Sequence, residues 1–181
     1  MKKLILSIVT LIFISTLSFA QTFTLKSTDV GGQVTNQQVF NSFGCTGENK
    51  SPQLSWANAP AGTKSFAVTM YDADAPTGSG WWHWLIFDIP ANETGLKQAA
   101  GNLALNLAPT GAIQSNTDFG QAGYGGPCPP QGHGFHQYVI TVFALKTDKL
   151  GLDKTANPAL VGYNLNGATL AKASIVMYYK R

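Results

Sequence analysis

His136-Gln137-Tyr138-Val139-Ile140-Thr141-Val142-Phe143-Ala144-Leu145 reads as a β-strand more clearly than any other stretch of this 181-residue chain. It is rich in β-branched, aromatic and aliphatic residues and contains neither Gly nor Pro. Period-2 spacing puts His136, Tyr138, Ile140, Val142 and Ala144 on one face. An imidazole and a phenol therefore stand side by side at one end of an apolar face. The same spacing recurs in Ser65–Tyr71, where Phe66, Val68 and Met70 share a face. Trp81–Ile89 is nearly apolar on both faces, which predicts a central strand covered from two sides. Thr169–Tyr179 aligns Ala171, Ala173, Ile175, Met177 and Tyr179, although its alanine content keeps a helix as a rival reading. Thr22–Ser27 and Gln53–Trp56 are weaker strand candidates. Asn157–Asn166, with Pro158 near its start and Gly167 as its stop, predicts one short helix. The expected fold class is mainly β.

Two irregular segments, 28–64 and 90–135, are long for a compact domain, and such loops are usually functional. They flank every residue able to do chemistry. At the end of the Ser65–Tyr71 strand comes Asp72-Ala73-Asp74-Ala75-Pro76. Asp72 and Asp74 point the same way if the strand continues; the plainer alternative is an Asx turn, with the carboxylate bonding nearby N–H groups. Trp81-Trp82-His83-Trp84 follows. By strict alternation His83 shares a face with Trp81, Leu85 and Phe87. Indoles make large rigid walls with one N–H donor each, which suits a pocket as well as a core. Gly123-Tyr124-Gly125-Gly126-Pro127-Cys128-Pro129-Pro130-Gln131-Gly132 lets backbone approach a ligand and then fixes it there, or is a plain surface loop. With Asp72 and His83, the His136/Tyr138 pair can form a small polar cavity. An aspartate beside a histidine favours the charged imidazole, which suits binding of phosphate or carboxylate.

The chain opens Met1-Lys2-Lys3, continues as an apolar run from Leu4 to Phe19, and reaches Ser18-Phe19-Ala20 before polar sequence begins. This is the pattern of a secretory signal peptide, cleaved after Ala20. A membrane anchor is the rival reading, but the run is near the minimum of ~17 apolar residues, and no basic stop-transfer cluster follows. Residues 21–181 then form one domain, exported to the periplasm or fully secreted, with no transmembrane anchor. The chain carries 12 basic and 9 acidic residues; without Lys2 and Lys3 the balance is 10 against 9. No Lys/Arg cluster remains, so nucleic acid is excluded as a partner. Cys45 and Cys128 make an even pair, and an oxidising compartment favours a disulfide over two buried thiols. Motifs for nucleophilic serine, nucleotide loops and metal ligation are missing. Asp72, His83 and His136 match no metal spacing, so neither metal nor cofactor is expected.

Taken together these segments resemble the phosphatidylethanolamine-binding protein family, and more closely its bacterial Raf-kinase-inhibitor-like (YbhB/YbcL) branch. Asp72-Ala73-Asp74-Ala75-Pro76 is similar to the family's Asp-Pro-Asp-Ala-Pro segment, and Trp81-Trp82-His83-Trp84 to its Trp-x-His-Trp/Phe. Gly126 to Gly132 followed by His136-Gln137-Tyr138 resembles Gly-Pro-x-Pro-Pro-x-Gly…His-Arg-Tyr. Phe43 to Trp56 and Leu170 to Arg181 resemble two further stretches of the branch. The resemblance implies a β-sandwich with one or two short helices and a small anion pocket near one surface. Carried over, Asp72, His83, His136 and Tyr138 are the pocket residues, Trp81 and Pro76 its walls, and Cys128 and Pro129 its loop backbone. The implied ligand is a small phosphorylated molecule or phospholipid head group. A protein partner, a protease or kinase inhibited through a surface, is the alternative. A hydrolase ranks third, because Ser79 and Ser115 sit in no nucleophile motif. Three departures stand out: Ala73 for Pro, Gln137 for Arg, and Ala168 where the branch often has His. Gln137 removes a positive charge beside the pocket.

Overall fold

The strand His136–Leu145 forms as its alternation requires, and lies second from one edge of a five-stranded sheet. The computed structural model describes residues 21–181, so the expected leader, residues 1–20, lies outside the described residues. In chain order the strands are β1 Thr24–Lys26, β2 Leu54–Ala57, β3 Ser65–Asp72, β4 Trp81–Pro90, β5 Gly95–Leu96, β6 Ile113–Gln114, β7 His136–Leu145 and β8 Thr169–Tyr179. Among the described residues one α-helix, α1 Pro158–Ala168, precedes β8, and a 3-10 turn covers Leu103–Leu105. The larger sheet runs β6-β4-β3-β7-β8 and the smaller β1-β2-β5, with antiparallel neighbours throughout.

The sheets face each other across the main core. Phe23, Leu25, Leu54 and Trp56 from the small sheet pack with Phe66, Val68, Met70, Ile140 and Val142 from the large one. On the opposite face of the large sheet, Val161, Leu165 and Ala168 of α1 cover Ala67, Leu85 and Phe87. Strands β3 and β4 are thus covered from two sides, which is why Trp81–Ile89 is apolar on both faces. The β-sandwich expectation is met.

Three local expectations change. Strict alternation along β4 fails at His83: Tyr71 pairs with Trp82 but Met70 pairs with Trp84, so His83 is the extra residue of a β-bulge. Beyond it Trp84 and Ile86 face the main core, while Leu85 and Phe87 face the helix. His83 therefore shares no face with Leu85 and Phe87. A second irregularity falls between Val68 and Phe66, where Asp88 adopts a positive φ of 58°. The helix runs past Gly167 to Ala168, because its end is held by Thr169, whose N–H and Oγ1 both donate to Leu165 O. Its start is capped by Asn157, which accepts from Leu160 N at 2.9 Å. The alanine-rich final segment is a strand, paired with β7 along its length and tied to it by Thr141 and Ser174 at 2.8 Å.

The two long irregular segments are joined by a disulfide between Cys45 and Cys128, whose Cα atoms are 6.0 Å apart and 83 positions apart in sequence.

Candidate functional site

Asp72, the last residue of β3, pairs with Trp81 at the start of β4 on one side and with Tyr138 near the start of β7 on the other. Three strand ends thereby place Trp81, Asp72 and Tyr138 in one row. The bulge adds His83 to the same end. A cavity of about 180 Å³ opens here. All eight residues expected at the pocket line it: Asp72, Pro76, Trp81, His83, Cys128, Pro129, His136 and Tyr138.

The polar groups are organised around Asp72, which is buried. Its Oδ2 accepts from His136 Nδ1 at 2.7 Å, and its Oδ1 accepts from Asp74 N at 2.9 Å. The Asx turn and the site are therefore the same residue. The chain bends after Asp72, so Asp74 leaves the cavity and its Oδ2 instead accepts from Gln137 N at 2.8 Å, tying the turn to β7. The far nitrogen of His136, Nε2, lies 2.8 Å from Nδ1 of the exposed His133. Asp72, His136 and His133 thus form a line from the buried floor to solvent.

His83 is held differently. Its Nδ1 lies 2.7 Å from Gly125 O, and its ring stands edge-on to those of Phe119 and Tyr138. Burial, outweighing the Gly125 bond and the nearby Asp72 charge, pushes its pKa down to about 4. The aspartate was expected to favour charged imidazole; at His83 desolvation wins. Tyr138 is fully buried; its hydroxyl makes no hydrogen bond of good geometry among the described residues, and the Asp72 carboxylate is the acceptor near it. Burial chiefly, with the Asp72 charge, holds that phenol well above its ordinary pKa, so it stays a donor.

The sequence reading missed Phe43, Ala75, Thr77, Phe119, Pro130 and the His133 contact. Phe119 and Phe43 come from the two long segments, and their rings lie 5.8 Å apart. The glycine run was the one signal for Phe119: a Cβ on Gly125 would stand 2.3 Å from its ring. Among the described residues, none that lines the cavity is Lys or Arg. Among the described residues, no cluster of three or more His, Cys, Asp or Glu is arranged to hold a metal ion.

Fold and site define a class: a two-sheet β protein with an aromatic-walled polar pocket where three strand ends meet. Residues 30–180 match the model of the phosphatidylethanolamine-binding protein, and the chain belongs to that family. The UPF0098 protein YbcL of Escherichia coli is 50% identical, with 99% of each chain covered. YbhB of the same organism is 46% identical over 82% of this chain and 93% of its own. The solved structure of E. coli YbcL overlays with a TM-score of 0.86, covering 88% of this chain and 98% of that one. The family and branch that the motifs resemble are thus the ones found.

Proposed function

We propose that the cavity binds a small phosphate-bearing ligand, free or as a lipid head group, and does not turn it over. The observation that carries this reading is the convergence of the buried polar groups of Tyr138, His83, His136 and Asp72 on one small cavity. Aromatic walls exclude water around the polar floor, the usual build of a small-ligand site. The family's description as phosphatidylethanolamine-binding points the same way. Binding without turnover fits the residues: Ser115 is buried with its Oγ unpartnered, and it does not line the cavity.

We place the protein outside the cytoplasm, in the periplasm or secreted. The apolar leader and the Cys45–Cys128 disulfide support this, since disulfides persist in oxidising compartments.

The test is an NMR titration of the purified protein with phosphoethanolamine and inorganic phosphate. Saturable shifts should centre on His83, His136 and Tyr138, and should disappear in Asp72→Asn. Silence at millimolar ligand would sink the reading.

A further inference from the structure

The rim of the cavity is built differently from its floor. Two large aromatic rings stand in solvent there. Phe43, on the first long segment, lines the mouth yet is 64% exposed, and Phe135, directly before β7, is 51% exposed. Phe43 also holds a positive φ of 55°, which bulky side chains rarely adopt. Such strain persists where the surroundings enforce it. Here the disulfide at Cys45 fixes the chain two residues on, and Arg181 Nη1 donates to Phe43 O at 3.2 Å.

The two basic residues that follow β8 join these aromatics into one patch. Lys180 Nζ lies 4.7 Å from the centre of the Phe135 ring. Gly132 N donates to Arg181 O at 3.0 Å, tying the loop before Phe135 to that residue. Tyr179 pairs with His136, so Lys180 and Arg181 sit at the cavity end of β8. Phe43, Arg181, Lys180 and Phe135 are thus linked in sequence around the mouth, and all four are exposed. The carboxylate of Asp74, on the adjoining turn, already accepts from Gln137 N.

Single exposed apolar side chains need no explanation, but two aromatics flanked by two cations at a ligand mouth do. A freely diffusing phosphate requires no such rim. A phosphate held in a bilayer lies at the depth where aromatic rings bury and where Lys and Arg meet anionic lipid. The rim carries the positive charge that the lining lacks.

Resting on the proposed anion pocket, we infer that the cavity mouth is a docking surface for a bilayer containing anionic lipid. Phe43 and Phe135 enter the interfacial layer, Lys180 and Arg181 lie over neighbouring phosphates, and the pocket takes a head group from a lipid that stays in its leaflet.

Flotation of the purified protein with phosphatidylethanolamine/phosphatidylglycerol vesicles, against phosphatidylcholine vesicles, tests this. The protein should float with the first and not the second, and added salt should weaken the association. Phe135→Ser, outside the cavity lining, should lower vesicle affinity about tenfold while its phosphoethanolamine shifts persist. Lys180→Gln should lower it about fivefold, as the loss of one cation at a membrane surface does. Should the first variant fail to fold, the second decides. Phosphoethanolamine shifts without flotation overturn the inference and leave the pocket standing. Flotation that neither substitution weakens, or that is equal with phosphatidylcholine, overturns it too. Absence of both flotation and shifts overturns the inference and the pocket together.

Discussion

His83 makes folding sensitive to acid. In the unfolded chain its imidazole takes up a proton at the ordinary value of 6.5, whereas in the folded protein burial defers this to about 4. Between those values the unfolded state binds more protons, so stability is full above pH 6.5 and falls as pH drops toward 4. At pH 5 the deficit relative to pH 7.5 is about 2 kcal/mol. Urea denaturation should show this loss in the wild type and a flatter profile in His83→Gln; parallel profiles would mean the ring is not buried neutral. Among single residues, those in short dense motifs were legible: Asp72, Trp81, His83, His136 and Tyr138 all line the cavity. Phe43, Phe119 and His133 were not, because each stands alone in a long loop and reaches the site through tertiary packing. The charge on His83 was also misread, since spacing shows which groups are near but not how deeply they lie.

At the scale of elements, β7 and β8 face the core as their alternation predicts, with one register shift between Ala144 and Leu145. The errors fall where local pattern competes with packing. Gly167 is a plausible helix stop, but Thr169 closes the helix one turn on from Leu165. β4 departs from alternation at the bulge, where a period-2 count cannot reveal an extra residue. The loop 123–132 offers a sharp test of close approach. A Cβ on Gly126 would stand 2.0 Å from Gln38 O, where the two long segments meet backbone to backbone. Phe40 N donates to Pro127 O at 3.1 Å beside it. Gly126→Ala should therefore cost about 2–3 kcal/mol in chemical denaturation, well beyond a surface Gly→Ala change. An unchanged midpoint would mean these segments are not packed as described.

Across the whole molecule, the mainly β class was legible from periodicity, whereas the two-sheet arrangement was implied by the family resemblance alone. The small sheet was only half seen, since β5 contributes two residues within a polar stretch. The disulfide links the two long segments, and Cys128 lines the cavity. Closing a loop of this length stabilises by about 4 kcal/mol in the chain-entropy model. Reduction should lower the urea midpoint accordingly and weaken phosphoethanolamine binding, because one wall of the cavity loses its tether. Reduced and oxidised protein with equal affinity would separate the bridge from the site.

The extra residue in β4 also sets a condition on anyone grafting this pocket elsewhere. On a regular antiparallel scaffold, Trp81 and His83 face inward only if Trp84 and Ile86 face outward. A transplant of the pocket side chains alone would either expose two large apolar groups or turn the imidazole away from its ligand. What must be copied is the offset in the backbone, with its unpaired position between Trp82 and Trp84. The recognition chemistry and the hydrophobic core are addressed by the same strand in two phases, and the bulge is the splice between them.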